Sequence, residues 1–251
     1  MANVSGKTRK RSAHNGPDSA RLRAGELIVP RFVLNQPTSR LGLEPGWFRN
    51  TFTGEEHETL RLNVLLWRRG RVYFEDGEDT FPVCKSNDGL RPAPFIPAPK
   101  NETCGHWNGT GRFVPACRLA AWRFADGRRI PPLCKATWNF LSVLEGDDLP
   151  FWISLKGRSL RSARRFLSMC YEVTRRGKPE LLDCSITLSS ALVQGRSFDY
   201  YVVRFSDPAW LDRRSGRHRT LKHLLNRFGP ARIQETFDAE MSEAEVPVTA
   251  G

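Results

Sequence analysis

From residue 26 onward, apolar residues gather in short runs separated by turn-forming residues, a pattern of strands more than of long helices. Residues 27–34, 60–67 and 71–75 read as strands, and Arg69-Gly70 between the last two predicts a hairpin turn. The mostly apolar run at 149–155 predicts a buried strand that passes through Lys156, Gly157 and Arg158 into a helix opened by Ser159 as its N-cap. On that helix Leu160, Ala163, Phe166, Leu167 and Cys170 recur at helical spacing, while Arg161, Arg164 and Arg165 lie mostly off the stripe, so one face packs and the other presents positive charge. Residues 185–192 and 200–205 predict two more strands joined near Gly195, and a short helix over 220–228 stops at Gly229-Pro230.

Residues 84–134 break this rhythm. They are rich in Gly, Pro, Asn and Cys without sustained periodicity, and a stretch that long needs an organiser other than a core. Four cysteines, Cys84, Cys104, Cys117 and Cys134, fall inside it, with His106 just after Cys104. Four soft ligands can hold Zn2+ tetrahedrally, and the metal then supplies folding energy that a core-poor segment lacks. The spacings, 19, 12 and 16 intervening residues, contain no C-x-x-C pair, so four buried unpaired thiols remain the alternative. Cys170, on the helix stripe, and Cys184, beside a strand, read as small core residues.

Charge narrows the partner. The chain carries 39 Lys and Arg against 27 Asp and Glu, a formal +12. Residues 1–25 form a basic arm that reads as disordered, and residues 235–251 an acidic tail with five carboxylates and no Lys or Arg. Without both, the body keeps 33 basic against 21 acidic residues, so the positive charge belongs to the folded part and favours an anionic partner such as nucleic acid. The apolar runs are too short for a membrane helix, and the basic N-terminus lacks an apolar segment behind it, so neither a membrane span nor secretion is expected. An intracellular location, with cysteines as thiols or metal ligands, follows as the expectation.

Aromatic rings interleave with the arginines. Trp67 and Trp152 sit inside apolar strands and read as core. Trp47, Phe48 and Trp107 sit in Gly-rich loops, where a ring can face a ligand. Catalysis finds little footing: P-loop, G-x-S-x-G and H-E-x-x-H motifs are absent, and Asp147-Asp148 reads as a polar turn before the strand at 149, with a nuclease carboxylate pair as the alternative.

Several segments together carry a resemblance. They are Pro45-Gly46-Trp47-Phe48-Arg49-Asn50 with Thr53-Gly54, Cys84-Lys85-Ser86-Asn87-Asp88-Gly89, Cys117-Arg118-Leu119-Ala120-Ala121-Trp122, Pro131-Pro132-Leu133-Cys134 and the strand-to-helix unit at 149–160. In their order the chain resembles a family of single-stranded DNA-binding proteins encoded by phages, prophages and other mobile elements, over about residues 26–206. The resemblance implies an OB-like barrel with a cysteine-bound zinc insertion. It also implies a C-x-x-C pair ending at Cys117, but Val114 stands where the first cysteine would be, which leaves the fourth ligand to Cys104, or to His106 in its place.

The expected architecture is therefore β-rich α+β: an OB-like barrel over 26–234 with an irregular zinc-stabilised insertion at 84–134 and one or two packed helices. The expected function is non-catalytic binding of single-stranded DNA in replication or recombination. Arg49, Arg68, Arg69, Arg71, Lys156, Arg158, Arg161 and Arg165 would track phosphates, and Trp47, Phe48 or Tyr73 would stack on bases. The acidic tail would recruit replication or recombination proteins; the alternatives are a zinc-containing nuclease or recombination factor, and a mobile-element interaction protein that binds host machinery through its acidic tail.

Overall fold

The computed structural model describes residues 29–37, 44–74, 83–86, 88–92, 103–110, 112–175, 180–195 and 197–228. The N-terminal arm, the acidic tail and parts of the Cys-rich segment lie outside these residues. Thirteen strands and two helices appear among them: β1 (Arg31–Leu34), β2 (Phe48–Asn50), β3 (Glu56–His57), β4 (Leu60–Tyr73), β5 (Cys84–Ser86), β6 (Gly105–Trp107), β7 (Phe113–Pro115), β8 (Arg123–Ala125), β9 (Arg128–Ile130), β10 (Lys135–Leu144), β11 (Pro150–Lys156), α1 (Ser159–Arg175), β12 (Cys184–Val193), β13 (Tyr200–Trp210) and α2 (Gly216–Arg227). The β-rich α+β class holds: one curled half-barrel sheet, ordered β13-β12-β4-β10-β11-β1-β2-β3 with β5 also on β4, carries the two helices.

One expectation fails at the centre of this sheet, and one strand there was not anticipated. Arg69-Gly70 is no turn, because β4 runs unbroken through it. Gly70 serves packing instead: a Cβ there would meet Asn139 Nδ2 and Thr137 Oγ1 at 2.7 Å and the Ser86 carbonyl at 2.8 Å, so only glycine lets β10 and β5 close on β4. The middle strand itself, β10, went unpredicted. Its Trp138-Asn139-Phe140-Leu141-Ser142-Val143 run is buried on both faces, and such a strand shows no alternation to read.

Those two faces hold two cores. Phe32, Leu62, Val64, Phe140, Ile153, Leu155, Ile186 and Leu188 pack beneath α1, whose Ala163, Phe166 and Cys170 complete the cluster. Leu65, Leu141, Val143 and Trp152 pack on the other side beneath Leu221, Leu224 and Phe228 at α2. Residue parity along β4 changes at a bulge, where Val64 pairs Ser142 and Leu66 pairs the adjacent Leu141. Before it, even-numbered side chains face α1; after it, odd-numbered ones do, so Trp67, Arg69 and Arg71 share a face with Trp138 and Phe140.

The sheet curls until β13, its last strand, meets side chains from elsewhere. The Tyr201 N–H donates to Gln36 Oε1 at 2.9 Å and its carbonyl accepts from Gln36 Nε2 at 3.2 Å. The Val203 N–H donates to Ser159 Oγ at 3.0 Å and the Phe205 N–H to Ser162 Oγ at 3.2 Å. Side chains thus satisfy an edge that would otherwise invite another strand. Ser159 is accordingly the first helical residue, its hydroxyl spent on β13 rather than on a cap. α2 starts earlier than predicted because Ser215 caps it, accepting from the His218 N–H at 3.1 Å.

Candidate nucleic-acid interface

The interface begins at a gap in the sheet. β12 pairs with β4 only over residues 60–63 and β5 only over 71–73, so between them β4 has no strand partner on that side among the described residues. A cleft of about 320 Å³ opens there, lined by Trp67, Arg68, Arg69, Asp88 and Trp107. Asp88 builds one wall as an Asx turn: its Oδ1 accepts from the Leu90 N–H at 2.7 Å, the Arg91 N–H at 2.9 Å and Ser86 Oγ at 3.0 Å. Burial lowers the pKa of the Arg68 guanidinium, and the charge of Asp88 opposes that shift.

Rings and guanidinium groups interleave at and behind this cleft. Arg69 lies 4.2 Å from the Trp107 ring centre and 5.7 Å from that of Trp67. Trp67 lies 5.0 Å from Trp138, which Arg164 of α1 approaches at 6.0 Å. Arg71 sits 4.0 Å over Phe113, itself edge-on to Trp107 at 5.2 Å. The outcome is a cation–π ladder from the β6–β7 hairpin to α1, with Trp107 37% exposed at its outer end.

The predicted binding residues divide around it. Arg68 and Arg69 line the cleft and Arg71 borders it. Arg161 and Arg165 are exposed on α1 beside Arg164. Lys156, on the opposite sheet face by its pairing with Thr137, approaches the Phe74 ring at 5.6 Å, and Arg158 approaches Tyr200 at 5.7 Å. Trp47 is partly exposed and Arg49 half-buried at β2, separate from the cleft lining. Phe48 is a correction: it is wholly buried in the α1 core, because strand alternation turns it inward between Trp47 and Arg49, so it offers no face to a base. Tyr73 packs against the cysteine cluster instead of lining the cleft. Trp67 is only partly buried, and contributes to both the core and the cleft. Arg164, Asp88 and Phe113 were missed; Arg164 at least was legible as the arginine bordering the helix stripe.

The four cysteines of the irregular segment do converge. All are buried, and none is in a disulfide. Cys84 begins β5 opposite Tyr73, and the Cys104 carbonyl accepts from the Ala116 and Cys117 N–H groups at 3.1 and 3.2 Å. The Cys134 N–H donates to the Leu119 carbonyl at 2.8 Å, and its own carbonyl accepts from Arg71. Burial pushes the Cys84 thiol up to about 12, with the other three sulfurs adding to the shift. Burial also pushes Cys134 up to about 11 against the pull of Arg71, and raises Cys104 against a hydrogen bond from Ser86. Among the described residues, no group of three or more His, Cys, Asp and Glu side chains has the arrangement of a ready metal site, so a metal would have to draw the sulfurs closer. The donor chemistry fits zinc nonetheless: four clustered thiols, with the Arg71 cation adjacent to offset the negative charge of a tetrathiolate. His106 is exposed where Cys104 is buried, which favours the all-cysteine set.

Asp147 and Asp148 form a clamped turn. Asp147 Oδ1 accepts from the N–H groups of Asp148 and Leu149, and Arg217 donates to Asp148 Oδ1 at 3.0 Å and to the Leu144 carbonyl at 2.7 Å. Among the described residues, no helix is long and apolar enough to cross a membrane. No family model, curated protein or solved structure matches this chain.

Proposed function

We propose that this chain is a non-catalytic single-strand nucleic-acid-binding protein, with DNA as its first ligand. The observation that carries the reading is the open cleft at the split edge of β4, lined by Trp67, Arg68, Arg69 and Trp107, with Trp138 and Arg164 continuing the ladder behind it. Guanidinium groups neutralise phosphates, and rings stack on any base, so the pair of features suits sequence-tolerant binding of unpaired strands. The curled sheet serves as an OB-like platform, with Arg161 and Arg165 extending the basic surface along α1. A duplex hides its base faces, so single strands should be preferred. The setting, a phage or mobile element replicating or recombining in a bacterial cytoplasm, with the acidic tail recruiting replication or recombination proteins, rests on the sequence resemblance. The clamped Asp147–Asp148 turn gives the nuclease alternative no support.

Titration of fluorescent oligonucleotides at several salt concentrations tests this. The logarithm of affinity should fall against log salt with a slope of about 0.7 per phosphate neutralised, and duplex should compete poorly. Equal affinity for duplex would remove the strand preference, and no binding in dilute buffer would remove the function.

In the same reading Cys84, Cys104, Cys117 and Cys134 hold a structural zinc ion, which would supply a tetrahedral cross-link for residues 84–134. Purified from metal-replete cells, the protein should contain about one zinc equivalent, and chelator should expose this segment to protease before the rest. Less than about half an equivalent, or a cleavage pattern indifferent to chelator, would discard the metal.

A further inference from the structure

The β8–β9 hairpin is built outward in a way the cleft does not use. Every residue from Trp122 to Arg129 is exposed, and Phe124 is 75% exposed. The turn is tight: Asp126 at φ 50° and Gly127 at φ 70° are the two left-handed positions of a two-residue hairpin turn whose twist matches its strands. Phe124 pairs across the ribbon with Arg129, so both lie on one face, where the Arg129 guanidinium also sits 4.1 Å over Trp122. Arg123 pairs with Ile130 and Ala125 with Arg128, which puts the other two guanidinium groups on the opposite face. One side of the ribbon thus offers two rings and a cation, the other side two cations, against a single acid, Asp126.

We infer that this hairpin grips the fork where a duplex opens into single strands, a reading that rests on the nucleic-acid function proposed above. The terminal base pair of a fork has one bare aromatic face, a flat apolar surface that Phe124 and Trp122 can cover. Two phosphate chains diverge from that pair, one past each side of an inserted ribbon, and the arginines stand on both sides. Three residues per strand give the hairpin a reach of roughly 10 Å, enough to stand against a base pair while the body holds the released strand. Exposed rings flanked by cations suit a polyanion that carries its own stacking surface.

The test uses the full chain and a forked oligonucleotide with 2-aminopurine at the last paired position, beside the matching single strand. Wild type should quench the 2-aminopurine fluorescence, as rings stacked on that base do, and bind the fork more tightly than the single strand. Phe124→Ala should abolish that quenching and weaken fork binding by about fivefold or more, while single-strand affinity stays within about twofold. Phe124→Trp should retain the signal, which separates loss of a ring from loss of structure. If Phe124→Ala keeps both the quenching and the fork preference, or if wild type binds single strands but gives no fork signal, the hairpin proposal falls alone. A hairpin variant that changes oligomeric state instead of fork binding would also overturn it, assigning the ribbon to protein contact. A wild type that ignores every oligonucleotide takes down the parent function and this inference together.

Discussion

Replacing Asp183 by alanine should lower the unfolding free energy by about 3–5 kcal/mol, the scale of losing one partner from a buried charged network. The side chain is completely buried. Its Oδ1 meets His218 Nδ1 of α2, and its Oδ2 accepts from Arg213 Nε at 3.2 Å and from the Glu180 N–H at 2.8 Å. The Asp183 carbonyl accepts from the Leu211 N–H at 2.8 Å, so one residue at the head of β12 fastens the end of β13 and the first turn of α2. Truncation leaves His218, itself buried, facing an emptied site. Asp148 is the internal control: its side chain is 72% exposed and pairs with Arg217 at 3.0 Å, so Asp148→Ala should cost less than about 1 kcal/mol. Urea unfolding of the three proteins decides the matter. Equal losses for the two aspartates would mean that the Asp183 network contributes no more than a surface pair.

Trp107→Ala should weaken single-strand binding by about tenfold, within the range expected for removal of one stacking platform. Trp107 carries the outer, exposed rung of the ladder, and the ring stands on a short hairpin away from both cores, so its loss should not move the fold. Arg69→Ala should act differently. It removes the guanidinium between two indoles and should flatten the salt dependence by about 0.7 if that group also meets a phosphate. Lys222→Ala, an exposed charge on α2 away from the cleft, measures what any lost cation would do. Affinities of Trp107→Ala and Arg69→Ala indistinguishable from that of Lys222→Ala would mean that the cleft is not where the strand binds.

How far the sequence anticipated these features depended on whether local pattern or distant contact created them. Alternation and apolar runs located β11, β12 and β13, and the arginine-flanked stripe of α1 was legible because helical spacing separates faces. β10 escaped because burial on both faces erases alternation, and its start abuts the cysteine-rich stretch. Gly70 misled because a glycine that permits close approach looks like one that permits a turn. At the site, Arg69 and Trp107 were each identifiable as candidates, but their stacking depends on the β6–β7 hairpin folding back over β4, a long-range arrangement with no local signature. Phe48 was misplaced for the converse reason. The glycines around it suggested a loose loop, whereas the two-layer core needed a large ring at that place.

The bulge in β4 has a last consequence. It acts as a phase shifter: by spending one extra residue against β10, it reverses which side of the strand carries each side chain downstream. A lineage that lost a single codon there would keep an almost identical composition and a strand nearly as long, yet would turn Trp67, Arg69 and Arg71 to the far side of the sheet and present Arg68 in their stead. A change of length is therefore ruinous in the middle of β4, where the reading frame of the surface is kept by one residue.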